Sequence, residues 1–96
     1  MIVLQPQGRL DLEGGKVIKQ QLAGIVPYPQ DLWLIDLAQV DFVDGSGLVA
    51  LIGGLSAARH SGCRLVLCNV QASVRIVLEL TRLDEVFEII DSYNAV

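Results

Sequence analysis

Two short apolar runs constrain the fold of this chain more than any other feature. They occupy residues 32–37 and 65–68, and nearly every residue in them is apolar, whichever face of a strand it would point to. A strand that is buried on both faces has apolar residues at nearly every position, and such strands lie inside parallel sheets. The two runs therefore predict two central strands with parallel neighbours.

The segments around these two runs show the periodicity of helices. Apolar residues recur at intervals of three and four near residues 12–25, 48–60 and 69–83. Further strands are predicted at residues 2–5 and 86–90, and the first stops at Pro6, which lacks an amide donor and suits a sheet edge. Strands alternating with helices predict one α/β domain over residues 1–96, with a mostly parallel four-stranded sheet and flanking helices.

Charge and hydropathy exclude two kinds of partner. The seven Lys and Arg residues are dispersed and the net charge is −4, so the chain lacks the phosphate-neutralising stripe of a nucleic-acid-binding protein. Residues 45–58 form the longest charge-free run in the apolar middle of the chain, and their 14 residues fall short of the roughly 20 that span a membrane. The N-terminal residues do not resemble a signal peptide, so we expect a cytoplasmic protein without membrane insertion.

The two cysteines fit a structural role. Cys63 and Cys68 are five residues apart in an apolar segment, and an odd spacing on a strand places two side chains on opposite faces. They would then share neither a metal nor a disulfide. Two buried thiols are the favoured interpretation.

Catalytic chemistry is weakly supported. Asp36, Asp41 and Asp44 follow predicted strands, where paired carboxylates can bind Mg²⁺ or share a proton, although turn and cap roles are commoner for such residues. A hydrolase elbow needs a glycine two residues before the serine, and Asp44 occupies that position before Ser46. His60 would lie roughly 20 Å from Ser46 along the same helix. We therefore predict no enzyme and no cofactor or metal, and keep a small carboxylate-dependent hydrolase as the weaker alternative.

The start of the second helix offers a regulatory hypothesis instead. Ser46 opens this helix, and a helix N-terminus favours the negative charge that phosphorylation adds. The simpler alternative is that Ser46 or Asp44 caps the helix. One face of the helix carries small, uncharged residues, which either receive a partner or lie under a loop or the C-terminal tail: Val49, Ala50, Gly53, Gly54 and Ala57.

Several of these segments together resemble a known family. Asp36-Leu37, Val40 and the run of residues 41–48, which reads Asp-Phe-Val-Asp-Gly-Ser-Gly-Leu, are similar to the signature of STAS domains, the bacterial anti-sigma-factor antagonists. Residues 8–11, Gly-Arg-Leu-Asp, resemble the turn before the family's first helix, and residues 74–87 resemble its last helix and strand. The resemblance covers nearly the whole chain in the right order.

This resemblance implies a STAS-like fold and a protein-interaction module of a partner-switching system that regulates transcription. Such domains dock on a serine-protein kinase that doubles as an anti-sigma factor, and a PP2C-type phosphatase reverses the phosphorylation that releases them. By position, and with two residues added from the small-residue face, the resemblance predicts these partner-binding residues: Asp11, Asp44, Gly45, Ser46, Gly47, Leu48, Val49 and Gly53.

Two departures from the family pattern open alternatives. Gly45 stands where the family has its phosphorylated hydroxyl, so either Ser46 is the phosphoacceptor or the protein is a phosphorylation-independent accessory subunit, for example of a transporter ATPase. The family's strand before residues 2–4 is also missing. The strand at residues 2–4 would then keep a free edge, which predicts a homodimer through that edge.

Overall fold

The computed structural model describes residues 1–92. Its three helices are α1 (Leu12–Ala23), α2 (Gly45–His60) and α3 (Ala72–Leu80), and a short 3₁₀ turn follows at Leu83–Glu85. Its strands are β1 (Ile2–Leu4), β2 (Gly8–Leu10), β3 (Leu32–Asp36), β4 (Val40–Val43), β5 (Arg64–Cys68) and β6 (Glu88–Ile90). The predicted α/β fold class is confirmed.

Four of the strands form a parallel sheet in the order β1-β3-β5-β6. The two apolar runs become the central strands β3 and β5, and Leu34 pairs with Val3 on one side and with Val66 on the other. β1 lies at the edge, as Pro6 predicts. The mostly parallel four-stranded sheet inferred from the sequence is therefore confirmed.

A second, two-stranded parallel sheet joins β2 to β4, with Leu10 opposite Val43. This second sheet was not predicted from the sequence. Each strand is too short to show a period, and the register shifts between Gly8 and Arg9. This small sheet ends where α1 and α2 begin.

All three helices cover one face of the four-stranded sheet. Because the strand order follows the chain order, right-handed crossovers place every connecting helix on the same side. The main core accordingly joins Ile18 of α1, Leu51 of α2 and Leu78 of α3 to the sheet. The opposite face carries a smaller buried cluster of Leu34, Val66 and Cys68. Cys63 belongs to the first cluster, so the two cysteines are buried, free and separated by the sheet, as predicted.

The predicted bounds of the elements differ most around α3. Apolar periodicity predicts this helix over residues 69–83, but Asn69 and Arg82 both adopt left-handed backbone angles, with φ of 54° and 59°. Neither conformation continues an α-helix. The apolar periodicity continues past the end of α3 because the chain forms a 3₁₀ turn there. β6 starts after this turn at Glu88, two residues later than predicted.

No helix within residues 1–92 is both long and apolar enough to cross a membrane.

Candidate functional site

Two helix starts lie side by side at one end of the small sheet. β2 leads through Asp11 into α1, and β4 leads through Asp44 into α2. The parallel pairing holds the two connections together, since the Asp44 amide donates a hydrogen bond to the Leu10 carbonyl oxygen at 3.2 Å. The missed β2–β4 pair is therefore the element that assembles this site.

Each aspartate caps its own helix. The Asp11 carboxylate accepts a hydrogen bond from the Gly14 amide, and the Asp44 carboxylate accepts one from the Gly47 amide, both at 3.0 Å. The Gly14 bond is the main reason why the pKa of Asp11 lies below its ordinary value, and nearby Arg9 lowers it further. A carboxylate in this position satisfies an otherwise unpaired amide and favours the helix dipole. Of the two caps that the sequence left open at α2, Asp44 is the one observed.

Gly47 and Leu48 lie inside the molecule. A Cβ atom at Gly47 would overlap the carbonyl oxygen of Leu10 and lie 2.7 Å from its carbonyl carbon, so glycine is needed for α2 to approach β2. The Leu48 side chain belongs to the main core. The expectation that these two residues face a partner is corrected here, because their side-chain positions are occupied by the protein itself.

Four other residues of the predicted partner-binding set are exposed to solvent. Gly45, Ser46, Val49 and Gly53 are exposed, and Cβ atoms at Gly45 and Gly53 would meet open space. The Ser46 hydroxyl makes no hydrogen bond within residues 1–92. These residues follow one another at intervals of one, three and four, so they form one stripe along the first half of α2.

The small-residue face of α2 is shared between this surface and a contact with α1. A Cβ atom at Gly15 would lie 3.0 Å from the Ala50 Cβ atom, and one at Gly54 would lie 2.8 Å from the Leu22 Cδ1 atom. Small residues thus let the two helices approach closely. Helix α1 thus covers Ala50 and Gly54, an arrangement that the sequence did not predict, whereas Val49, Gly53 and Ala57 are exposed.

A groove of about 560 Å³ opens along the line where α1 and α2 meet. Its lining is mostly apolar, with Ser46 at one end and two lysines on the α1 side. The lining residues are Leu12, Gly15, Lys16, Lys19, Leu22 and Ala23 from α1, and Ser46, Val49, Ala50, Gly53, Gly54 and Ala57 from α2. We call this feature the α1–α2 groove.

The three carboxylates considered for catalysis differ in burial and in hydrogen bonding. Asp36 is buried and accepts hydrogen bonds from the Ala38 amide at 2.9 Å, from Asn69 Nδ2 at 3.1 Å and from Gln5 Nε2 at 3.2 Å. Asp41 is exposed, and Asp44 caps α2. In the described part of the chain, no group of three or more His, Cys, Asp or Glu side chains is placed to hold a metal ion.

The nucleophile candidates are also isolated from a base. Ser46 and His60 lie at opposite ends of α2, as the sequence predicted. Burial raises the pKa of the Cys68 thiol, and the charge of Asp36 raises it further, so this thiol stays protonated near neutral pH. These residues do not form a nucleophile and base pair.

Comparisons with known proteins agree with this geometry. A family model described as "Mlab, STAS domain" matches residues 2–91. Among solved structures, a sulfate transporter family protein from Wolinella succinogenes is similar with a TM-score of 0.86 at 18% identity, covering 97% of this chain and 78% of that one.

Two further solved structures share the fold. A candidate anti-sigma factor antagonist from Thermotoga maritima matches with a TM-score of 0.82 at 23% identity, over 97% of this chain and 80% of the other. An anti-sigma-factor antagonist (STAS) domain protein from Planctomyces limnophilus matches with a TM-score of 0.77 at 25% identity, over 91% and 75%. Residues 2–91, which the family model matches, include both helix starts and the α1–α2 groove.

Proposed function

The chain belongs to the STAS domain family, and on that premise we propose that it is a protein-interaction module and not an enzyme. It docks on a protein partner through a surface made of Gly45, Ser46, Val49, Gly53 and the α1–α2 groove, which we call the docking surface. Asp11 and Asp44 shape this surface by capping the two helices beside it. Gly47 and Leu48 support it from the inside. The proposal includes a cytoplasmic location.

The α1–α2 groove is the observation that carries the proposal. It is mostly apolar and open, and exposed Val49 at its rim is 68% accessible to solvent. A contiguous exposed apolar patch, as opposed to scattered apolar residues, is typical of a binding site. The groove runs directly into the turn at Gly45 and Ser46, so the turn and the groove form one continuous surface.

We propose that docking is constitutive, as in an accessory subunit of a transporter ATPase. Gly45 stands at the position where the family resemblance places the phosphorylated hydroxyl, and glycine cannot accept a phosphate. The fold likeness to a sulfate transporter family protein agrees with a partner of the transport class. The partner is then held through the apolar groove without a covalent switch.

A phosphorylation switch at Ser46 is the second candidate. Its hydroxyl is exposed at the start of α2, where the helix dipole favours a phosphate, and it lies at one end of the groove. In this version the partners are a serine-protein kinase that is also an anti-sigma factor and a PP2C-type phosphatase. The added charge would stand at the docking surface and release the partner.

Intact mass separates the two candidates. After incubation with the cognate kinase and ATP, constitutive docking predicts an unchanged mass under conditions that modify a control substrate. A stable gain of about 80 Da, mapped to Ser46 by fragmentation, supports the switch and contradicts constitutive docking. The Ser46→Ala variant is the matched control, since it must lose any such adduct.

The docking surface itself is tested with a charge placed on α2. The side chain of the Gly53→Lys variant enters open space, so we expect an intact fold and loss of the captured partner in pull-downs from the native cell. The control is Ser56→Lys, which puts the same charge on an exposed position of the same helix outside the groove. Equal capture by both variants contradicts the proposed surface.

A further inference from the structure

The shape of the α1–α2 groove indicates what kind of element it receives. Its two walls are stripes of six residues on α1 and on α2, spaced at three and four, and each stripe spans 12 residues or about 16 Å. The floor is made of small residues such as Gly15, Ala50 and Gly54. The rims carry exposed Leu12 and Val49, which are 57% and 68% accessible.

A third helix is the element that such a groove fits. Side chains at helical spacing pack into the channel between two neighbouring helices. A strand would need free backbone amides and carbonyls along its path, and those of α1 and α2 are used within the helices. Open space at the Cβ position of Gly53 lets a partner backbone approach α2 closely.

The charges of the groove indicate the character of that helix. Lys16 and Lys19 are the charged residues of the lining, and both lie on the α1 side. Lys19 forms no ion pair within residues 1–92, and Lys16 makes only an exposed contact with Glu13 at 3.6 Å, which contributes little. The chain as a whole carries a net charge of −4, so the α1 side of the groove presents two positive charges on an acidic protein.

We propose that the α1–α2 groove receives an amphipathic helix of the partner, about three turns long, with aspartate or glutamate residues along the side that faces Lys16 and Lys19. Its apolar face covers the small residues of the floor. The remaining acidic surface of this chain repels the same helix elsewhere, which fixes where and in which orientation it docks. This inference rests on the proposed function and adds the chemistry of the partner.

Photo-crosslinking identifies the docked element directly. A photo-crosslinking amino acid replaces Val49 in the full chain, the protein is irradiated in its native cell, and the crosslinked peptide is sequenced. We expect a partner segment with apolar residues at helical spacing and acidic residues on one flank. A loop, a strand, a basic segment, a lipid or a second copy of this chain at this position overturns the inference.

Charge reversal then tests the role of the lysines on the purified complex. We expect Lys19→Glu to weaken partner affinity about tenfold or more, with recovery when the facing acidic residue of the partner is changed to lysine. The control Arg59→Glu makes the same change of charge at an exposed position outside the groove and should leave the affinity unchanged. Equal effects of the two substitutions overturn the inference.

Failure of the proposed function has a different signature. If Val49 yields no crosslink and Gly53→Lys captures the partner as well as the unchanged protein does, both the docking surface and its helical occupant are wrong. If Gly53→Lys loses the partner while the crosslinked segment is not an acidic helix, only this inference fails. The two experiments therefore judge the two proposals separately.

Discussion

Gly47 and Gly53 lie on the same helix and meet opposite surroundings. The Cα of Gly47 is pressed against the backbone of Leu10, whereas Gly53 faces open space. Gly47 lets α2 approach the small sheet closely. Gly53 leaves the docking surface without a protruding side chain at that position. The same residue type thus serves the fold at one position and the site at the other.

Alanine substitutions at these two glycines should change stability in opposite directions. A methyl group at Gly47 forces α2 away from Leu10, and overpacking of this kind costs about 1–3 kcal/mol or more of unfolding free energy. Gly53→Ala should raise that free energy by about 0.5–1 kcal/mol, because alanine is the better helix former. Urea unfolding followed by the fluorescence of buried Trp33, the one tryptophan, measures both. A Gly47→Ala variant as stable as the unchanged protein contradicts the packing described at Leu10.

Residue types alone could predict some of this site and not the rest. That Asp44 caps α2 was foreseeable, since an aspartate before a helix commonly caps it. The role of Gly47 was not, because a glycine at a helix start is equally compatible with an approaching partner and with internal packing. Only the position of β2, which is set by pairing with residues some 30 positions further along the chain, decides between them.

Among the elements, the β2–β4 pair contributes most to the site. It brings Asp11 and Asp44 together and so sets α1 beside α2. Periodicity could not predict it, because strands of three and four residues contain too few positions to alternate. The longer elements, with one face or both faces apolar, were predicted correctly in type and order.

The free edge of β1 carries the prediction of a homodimer. β1 is an edge strand of the four-stranded sheet, and edge strands invite pairing with another chain. A symmetric antiparallel pair centred on Val3 would set the two Val3 residues opposite each other. Sedimentation over a wide range of concentrations should therefore show a dimer for the unchanged chain and a monomer for Val3→Lys, where like charges would meet. A monomer at high concentration for both contradicts pairing through this edge.

At the scale of the whole molecule, the strand order explains why a docking surface is available. A sheet wound in one direction keeps all three helices on one face, so α1 and α2 become neighbours and leave a groove between their outer sides. The apolar runs of β3 and β5, together with the helical periodicity of the segments around them, were enough to predict this α/β plan. The groove could not be predicted from the sequence, because its shape depends on how closely Gly15 and Ala50 approach each other.

The central claim is that partners dock at the start of α2 and along the α1–α2 groove. Amide hydrogen exchange, measured on this chain with and without its captured partner, tests that claim most directly. The account predicts slower exchange in the complex over residues 12–23 and 45–57, with little change in α3. Protection confined to α3 or to the β1 edge, with α1 and α2 exchanging as in the free chain, would contradict it.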